Sequence, residues 1–208
     1  IKKGIYKTGN TVIDALMYVV NNKEHNLDFI NLDPNLKTIL LTSHRRENFG
    51  EPLKNICMAV KELVEKNKDI QVVYPMHLNP NVRNTVKPIL ENVERVKLIE
   101  PLDYVPFCNL MKKSHIILTD SGGVQEEAPS LGVPVFVLRD ETERPEALKY
   151  GGVKLVGYDK NKIVNSVQEI LDDSEKYNKM SNAINPYGDG KASIYIEKII
   201  LDYFLNQN

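Results

Sequence analysis

Short apolar runs alternate with longer amphipathic segments from residue 37 onward. Each run is almost continuously apolar, as in strands that helices cover on both faces. The runs predict strands over residues 38–42, 70–74, 96–98, 115–119, 135–138 and 153–156. The segments between and after them predict helices over residues 52–66, 80–90, 104–113, 121–131 and 160–172, with a short helical turn near 145–149. This alternation predicts an α/β fold with a doubly wound, parallel six-stranded sheet of the Rossmann-like kind.

The two ends of the chain depart from this alternation. Asn10 or Thr11 is a predicted cap for a helix that runs to Val20, and a polar loop follows. The segment over 174–181 and a turn at 186–190 precede a predicted last helix over 192–205, which is apolar on more than one face. This last helix either packs on its own sheet or contacts another domain or subunit.

A glycine-rich turn follows the fourth predicted strand. The sequence TDSGGVQEEAPSLG at 119–132 leads from the strand into a helix that Gly132 ends. The first N–H groups of a helix have no intrahelical partner, and the helix dipole adds positive potential there. Gly122 and Gly123 would let a ligand approach this backbone closely. The turn therefore predicts a phosphate-sized opening.

Glu127 is the sharpest candidate beside this opening. With Ser121 as N-cap, Glu127 falls in the second helical turn, too deep for a capping box. It lies four residues after Gly123, so both share one helix face. A carboxylate in this place is suited to accept hydrogen bonds from both hydroxyls of a ribose. The other interpretation is a solvated surface glutamate.

Composition and charge narrow the class of protein. The chain has 208 residues, 42% of them hydrophobic, and a net charge of −1. This length and hydrophobic fraction are sufficient for one domain with a substantial hydrophobic core. The near-zero net charge gives no electrostatic reason to expect nucleic acid or an anionic membrane as a partner. Two isolated cysteines, with neither a membrane span nor a signal peptide in the sequence, favour a reduced, cytoplasmic protein.

The loops after the predicted strands carry the remaining candidates, because ligands of open α/β sheets bind at the carboxyl ends of the strands. His44 and Arg45 lie in a loop suited to an anion, although a polar surface loop is the alternative. His77 between two prolines is more simply a turn residue. Phe107 fits a planar base or the core, and Arg144 fits either a diphosphate or surface ion pairs.

Other familiar motifs do not occur. No His, Cys or carboxylate residues show the spacing of a metal site, so we predict none. The chain has neither GxGxxG after its first predicted strand nor GxxxxGK[ST], which argues against an NAD site and a P-loop.

Together, these loops resemble one family. The segments TSHRRENFG at 42–50, YPMHLNPNV at 74–82, TDSGGVQEEAPSLG at 119–132 and TERPEA at 142–147 look like those of the non-hydrolysing UDP-N-acetylglucosamine 2-epimerases. GNTVIDA at 9–15 and NPYGDG at 185–190 match too, so the resemblance runs in order along nearly the whole chain.

The resemblance implies an activity and an architecture. It implies interconversion of UDP-GlcNAc and UDP-ManNAc by elimination of UDP, inversion at C2 and re-addition, without metal or nicotinamide. It implies two Rossmann-like domains in a glycosyltransferase-B-like arrangement, with the sugar nucleotide between them. We also expect a homodimer that serves cell-envelope polysaccharide biosynthesis.

The resemblance also assigns roles to residues. Ser121, Gly122 and Gly123 would bind the diphosphate and Glu127 the ribose, while Phe107 would lie by the uracil. Arg144 would contact the nucleotide and His44 would lie near the leaving UDP. Arg45 and His77 match positions that contact a second, activating UDP-GlcNAc in bacterial members.

Length is the main departure from the family. A complete member has a further N-terminal domain, and Ile1 is not a start methionine, so we expect a fragment or a processed product. Residues 1–36 would be the interdomain linker and helix, 37–182 the nucleotide-binding domain and 183–208 the crossover helix. We expect the chain alone to bind UDP and to catalyse poorly or not at all. The alternatives are half of a sugar-nucleotide glycosyltransferase and a non-catalytic UDP-binding module.

Overall fold

The protein is described by a computed structural model that covers residues 4–205. Its centre is a six-stranded, wholly parallel sheet in the order β3-β2-β1-β4-β5-β6. The strands are β1 Lys37–Thr42, β2 Ile70–Pro75, β3 Val96–Ile99, β4 Ile116–Thr119, β5 Val135–Val137 and β6 Val153–Leu155. The predicted fold class is confirmed, and each predicted strand is present within one or two residues of its expected bounds.

Helices cover both faces of the sheet. They are α1 Thr11–Asn22, α2 Glu51–Lys66, α3 Pro80–Leu90, α4 Tyr104–Lys113, α5 Gly122–Glu127, α6 Pro145–Tyr150, α7 Lys160–Asp172, α8 Ser174–Ser181 and α9 Ala192–Leu205. Short 3₁₀ turns lie at Asp28–Ile30, Arg46–Asn48 and Ala128–Leu131.

The strands divide their side chains between two cores because successive residues point to opposite faces. In β1, Ile39 and Leu41 pack with α2, α3 and α7 on one face. Leu40 packs with α1, α4 and α5 on the other face. Both sides of the sheet are therefore dry, which explains why the strands read as continuous apolar runs rather than as alternating ones.

The predicted helix over 121–131 differs in its second half. Only residues 122–127 form an α-helix, and the chain continues as the 3₁₀ turn Ala128–Leu131. Pro129 explains the change, because it has no N–H for an i→i−4 bond and its ring crowds the preceding turn. Gly132 then ends the segment with a φ of 69°, a left-handed conformation that glycine adopts without strain.

The helix α9 is attached mainly through its first turn. The Asp14 carboxylate of α1 accepts hydrogen bonds from the backbone N–H groups of Ala192 and Ser193, at 2.9 and 2.7 Å. The large apolar side chains of α9 are mostly exposed, among them Ile194, Ile200, Tyr203, Phe204 and Leu205. Packing of α9 on its own sheet is therefore wrong for the described residues.

Candidate functional site

The site forms where the strand order reverses. β1 and β4 are neighbours in the middle of the sheet, and the chain leaves them toward opposite edges, which opens a crevice at their carboxyl ends. Their last residues, Thr42 and Thr119, are joined by a hydrogen bond of 2.6 Å between their hydroxyl oxygens. The Thr119 hydroxyl also accepts from the backbone N–H of Ser121 at 3.0 Å. The two strands thereby fix the start of the glycine-rich turn.

Asp120 joins the loops that follow β1 and β4. Its side chain is fully buried, and its Oδ2 accepts four hydrogen bonds. The donors are the Ser43 hydroxyl at 2.9 Å, the backbone N–H groups of His44 and Arg45 at 2.8 and 2.9 Å, and the Asn48 side-chain amide at 3.0 Å. Asp120 therefore sets the path of the loop that carries His44 and Arg45.

His44 and His77 come together at this edge. His44 Nδ1 lies 3.6 Å from Asp120 Oδ1, and its ring stacks on that of His77 with centroids 5.6 Å apart and planes 13° apart. The structure thus brings two of the predicted histidines, from the loops after β1 and β2, into contact.

A cavity of about 250 Å³ lies beside these histidines. Its walls are mostly apolar, with a few polar groups toward the strand ends, as is usual for small-molecule sites. The lining residues are Thr42, His44, Pro75, His77, Pro101, Leu102, Phe107, Ser121 and Val124. Phe107 is half-buried and also packs against the core on the α4 side of the sheet. Phe107 therefore belongs both to the edge of the core and to the wall of the cavity.

Two guanidinium groups lie over Gly122, at the start of α5. A Cβ added to Gly122 would be 3.6 Å from Arg45 Nη2 and 3.8 Å from Arg144 Nη2. The arginines come from the loops after β1 and β5, so only the folded sheet brings them together. Two convergent cations beside a helix start that has no side-chain cap are suited to bind an anion with several oxygens.

Arg144 is held by a buried carboxylate. Its Nε donates to Glu126 Oε1, and this bond raises the pKa of Arg144 above its ordinary value. The arginine is therefore ion-paired, as one interpretation of the sequence held, but its partner lies inside the site. Arg139 instead forms surface pairs with Glu47 and Glu143, at 2.7 and 2.6 Å.

Glu127 lies behind the glycine pair. A Cβ on Gly123 would be 3.5 Å from Glu127 Oε1, so the predicted shared face is confirmed. Glu127 is 8% exposed, which makes a solvated surface glutamate wrong. Its Oε2 accepts from the Tyr104 hydroxyl at 3.1 Å. Burial raises the pKa of Glu127, and the nearby Glu126 adds to this rise, whereas the Tyr104 bond opposes it.

Three residues of the site had no role in the sequence prediction. Asp120 and Glu126 are buried acidic residues within the glycine-rich segment, and Tyr104 begins α4. An acidic residue in an otherwise apolar or small-residue stretch is the signal that could have marked the first two, since a buried carboxylate requires partners. Tyr104 gave no such signal.

Residues 4–205 were predicted to lack a metal site, and their helices are also relevant to membrane insertion. Within residues 4–205 no cluster of three or more His, Cys, Asp or Glu side chains is arranged to hold a metal ion. None of the helices in that range is long and apolar enough to cross a membrane.

Comparisons with known proteins all find similarity to one family. The sequence model of the family described as UDP-N-acetylglucosamine 2-epimerase matches residues 1–201. A UDP-N-acetylglucosamine 2-epimerase of Campylobacter jejuni is 51% identical over 210 residues, which is 96% of this chain and 54% of that protein.

Solved structures show the same likeness. The UDP-GlcNAc 2-epimerase of Neisseria meningitidis, bound to UDP-GlcNAc, is 50% identical with a TM-score of 0.88, over 94% of this chain and 54% of that one. The S. aureus MnaA–UDP co-structure is 48% identical with a TM-score of 0.90, over 99% and 56%. The chain spans about half the length of the relatives that it matches.

Proposed function

This chain belongs to the UDP-N-acetylglucosamine 2-epimerase family, and we propose that it forms the UDP-binding part of an enzyme that interconverts UDP-GlcNAc and UDP-ManNAc. One observation carries the proposal: the guanidinium groups of Arg45 and Arg144 converge over Gly122, and the Glu127 carboxylate lies over the adjacent Gly123. An anion site and a ribose acceptor at this spacing fit a nucleoside diphosphate. Relatives of half identity were solved with UDP-GlcNAc and with UDP.

The proposed nucleotide pose follows from these groups. The diphosphate lies over Ser121, Gly122 and Gly123 and is held by Arg144, because the glycines leave the backbone N–H groups accessible. The ribose hydroxyls donate to Glu127. Phe107 supplies an apolar surface for the uracil, and its place in the wall of the cavity supports this role.

The chemistry requires the C1–O bond to the diphosphate to break. A proton leaves C2, its electron pair forms the C1–C2 double bond, and UDP departs with the bonding pair. Negative charge grows on the leaving diphosphate, where the first N–H groups of α5, Arg144 and His44 are placed to stabilise it. Re-addition of UDP after protonation of the other face of C2 gives the epimer. The resemblance assigns the C2 acids and bases mainly to the other domain of the complete enzyme.

A second nucleotide sugar is the proposed activator at Arg45 and His77. His77 stacks on His44 and Arg45 lies over the same glycine as Arg144. These contacts support an activator site that adjoins the substrate site, so that its occupancy acts on His44 directly. A second UDP-GlcNAc would then shape the surroundings of the leaving group.

We also propose that the complete protein carries a further N-terminal domain, forms a homodimer and works in the cytoplasm in cell-envelope polysaccharide biosynthesis. The exposed apolar length of α9 supports a contact beyond this chain. The two cysteines, Cys57 and Cys108, are free and buried, which suits a reducing compartment. Light scattering of the complete protein measures the predicted dimer.

Thermal unfolding of this chain with UDP, UDP-GlcNAc, GDP and NAD in parallel tests nucleotide binding. A ligand at about 100 times its Kd adds about 2.7 kcal/mol, which corresponds to a rise in Tm of about 5–10 °C for a domain of this size. We expect the rise with UDP and UDP-GlcNAc and not with GDP or NAD. A rise with NAD in place of the uridine nucleotides would overturn the proposal.

A product assay on the complete protein separates an epimerase from a glycosyltransferase half or a non-catalytic module. UDP-GlcNAc is supplied without any acceptor, and the sugar nucleotides are resolved by NMR. The epimerase forms UDP-ManNAc until the two epimers reach equilibrium. Unchanged UDP-GlcNAc would contradict the epimerase.

A further inference from the structure

Glu126 is a buried carboxylate to which the proposed pose gives no contact with the nucleotide. It is 7% exposed, and both of its oxygens are used by the protein. Oε1 accepts from Arg144 Nε, and Oε2 accepts from the Asn10 side-chain amide. Removing a charged group of this kind from water is costly unless it is paired and hydrogen-bonded, as it is here. The pairing with Arg144 is therefore a specific contact.

The Glu126 carboxylate is itself fixed from two directions. Asn10 is the N-cap of α1, where its Oδ1 accepts from the Val12 N–H at 3.2 Å while its amide donates to Glu126. The Asn185 amide donates to the backbone carbonyl of Glu126 at 2.8 Å. The carboxylate thus has little freedom to follow Arg144, and instead Arg144 is oriented by it.

The bond through Nε determines where the rest of Arg144 points. With Nε held by Glu126, the terminal Nη2 lies 3.8 Å from the position of a Cβ on Gly122. Arg45 Nη2 lies 3.6 Å from the same position, so the two cations repel each other when no anion is bound. An unpaired arginine has many rotamers and would leave this place for solvent.

We infer that Glu126 is a positioning residue that holds Arg144 over Gly122 and so sets the affinity for the diphosphate without touching the nucleotide. The inference rests on the proposed function. It gives different roles to two adjacent acidic residues on one short helix. Glu127 binds the ribose of the nucleoside, whereas Glu126 orients Arg144, which binds the diphosphate. This division gives the two residues opposite signatures when ligands with and without phosphate are compared.

The test compares the Kd of UDP with the Kd of uridine for variants of this chain by calorimetry. Glu126→Gln keeps the shape of the side chain and removes its charge. We expect it to raise the Kd of UDP about tenfold, the typical scale of one charge-assisted contact, and to leave the Kd of uridine unchanged. Arg144→Ala should show the same selectivity. The matched control Glu127→Gln should weaken both ligands by the same factor.

A double variant makes the assignment to Arg144 specific. If Glu126 acts through Arg144, adding Glu126→Gln to Arg144→Ala changes the Kd of UDP little further, because coupled residues are not additive. Should Glu126→Gln fail to fold, Glu126→Asp keeps the charge but withdraws it from Nε, and the same selective loss is expected.

The outcomes separate this inference from the proposed function. If Glu126→Gln weakens UDP and uridine equally, Glu126 has a general structural role and the inference is wrong. Unchanged UDP affinity in the variant also overturns it, while UDP binding by the unaltered chain leaves the proposed function standing. An unaltered chain that binds neither ligand would overturn both.

Discussion

At the scale of single residues, Glu127 combines burial with a proposed binding role. Its raised pKa means that the folded state holds a proton on Glu127 more tightly than the unfolded chain does. The stability from this group is therefore fully present below the unfolded pKa, about 4.3, and is lost as the pH rises through the folded pKa. At neutral pH the ionised carboxylate opposes folding until a ligand donates hydrogen bonds to it.

Glu127→Gln should therefore change stability and affinity in opposite directions. Without ligand, we expect the variant to be more stable than the unaltered chain at pH 7. This gain should fade as the pH falls through the raised folded pKa of Glu127, and it should be absent below the unfolded pKa of about 4.3. Loss of hydrogen bonds to a charged acceptor should raise the Kd of UDP about 10- to 100-fold. Urea unfolding across pH and calorimetry measure the two effects. A variant that is less stable at pH 7 would show that the carboxylate is satisfied within the protein.

Asp120, unlike Glu127, stabilises the fold, because its contacts are made within the protein. Four donors converge on its Oδ2, and Asp120→Ala would leave them buried without an acceptor. We expect a loss of about 3–5 kcal/mol in the free energy of unfolding, measured in urea. Asp103→Ala is the control, since Asp103 is exposed and its side chain makes no capping bond. Equal losses in the two variants would contradict the role given to Asp120.

These residues show how far sequence reasoning reaches at this scale. The pairing of Gly123 with Glu127 is local, so helical spacing alone predicted it. The contacts of Asp120 join residues up to 77 positions apart, and those of Glu126 reach Asn10 across 116 positions. Such contacts exist only once β1, β4 and α1 are placed side by side, and no local pattern carries that information.

At the scale of elements, the sequence predicted the order and type of the strands and helices because apolar period and turn residues are local signals. The exception was the segment over 121–131, where the helix former Glu127 is followed by Pro129 and the α-helix gives way to a 3₁₀ turn.

The contact between β4 and α8 predicts a dependence of stability on pH. His115 precedes β4, stacks on Tyr177 with ring centroids 4.1 Å apart, and has its pKa lowered to about 4 by burial and, secondarily, by Lys37. A histidine with a depressed pKa favours the folded state only while it is neutral. Stability should therefore fall as the pH decreases from about 6.5 to 4.

His115→Phe keeps an aromatic ring against Tyr177 and removes the titration. We expect its free energy of unfolding to vary less between pH 7 and 4 than that of the unaltered chain, by at most about 3 kcal/mol. The control is His25→Phe, at an exposed position, which should leave the pH dependence as it was. The same slope in the His115 variant and the unaltered chain would disprove the link.

At the scale of the whole molecule, α9 presents apolar side chains that this chain leaves exposed. The helix is anchored at its first turn by Asp14, and beyond that turn it presents Ile200 at 49% and Phe204 at 63% exposure. Burial of each such side chain contributes about 1.5–3 kcal/mol of favourable free energy. A partner surface that covers several of them would therefore be bound favourably. We propose that the N-terminal domain of the complete protein covers this face.

The double variant Ile200→Glu/Phe204→Lys tests that proposal. The new side chains form a favourable i,i+4 pair on α9, so in this chain alone we expect the free energy of unfolding to change by at most about 0.5 kcal/mol and UDP binding to stay as it is. In the complete protein the same change places two charges in the domain contact, and epimerisation of UDP-GlcNAc, followed by NMR, should fall at least tenfold. The chain without its N-terminal domain should show little or no epimerisation. Loss of several kcal/mol in the isolated chain would mean that α9 packs on its own domain, and epimerisation by that chain at the rate of the complete enzyme would mean that the catalytic groups lie within these residues.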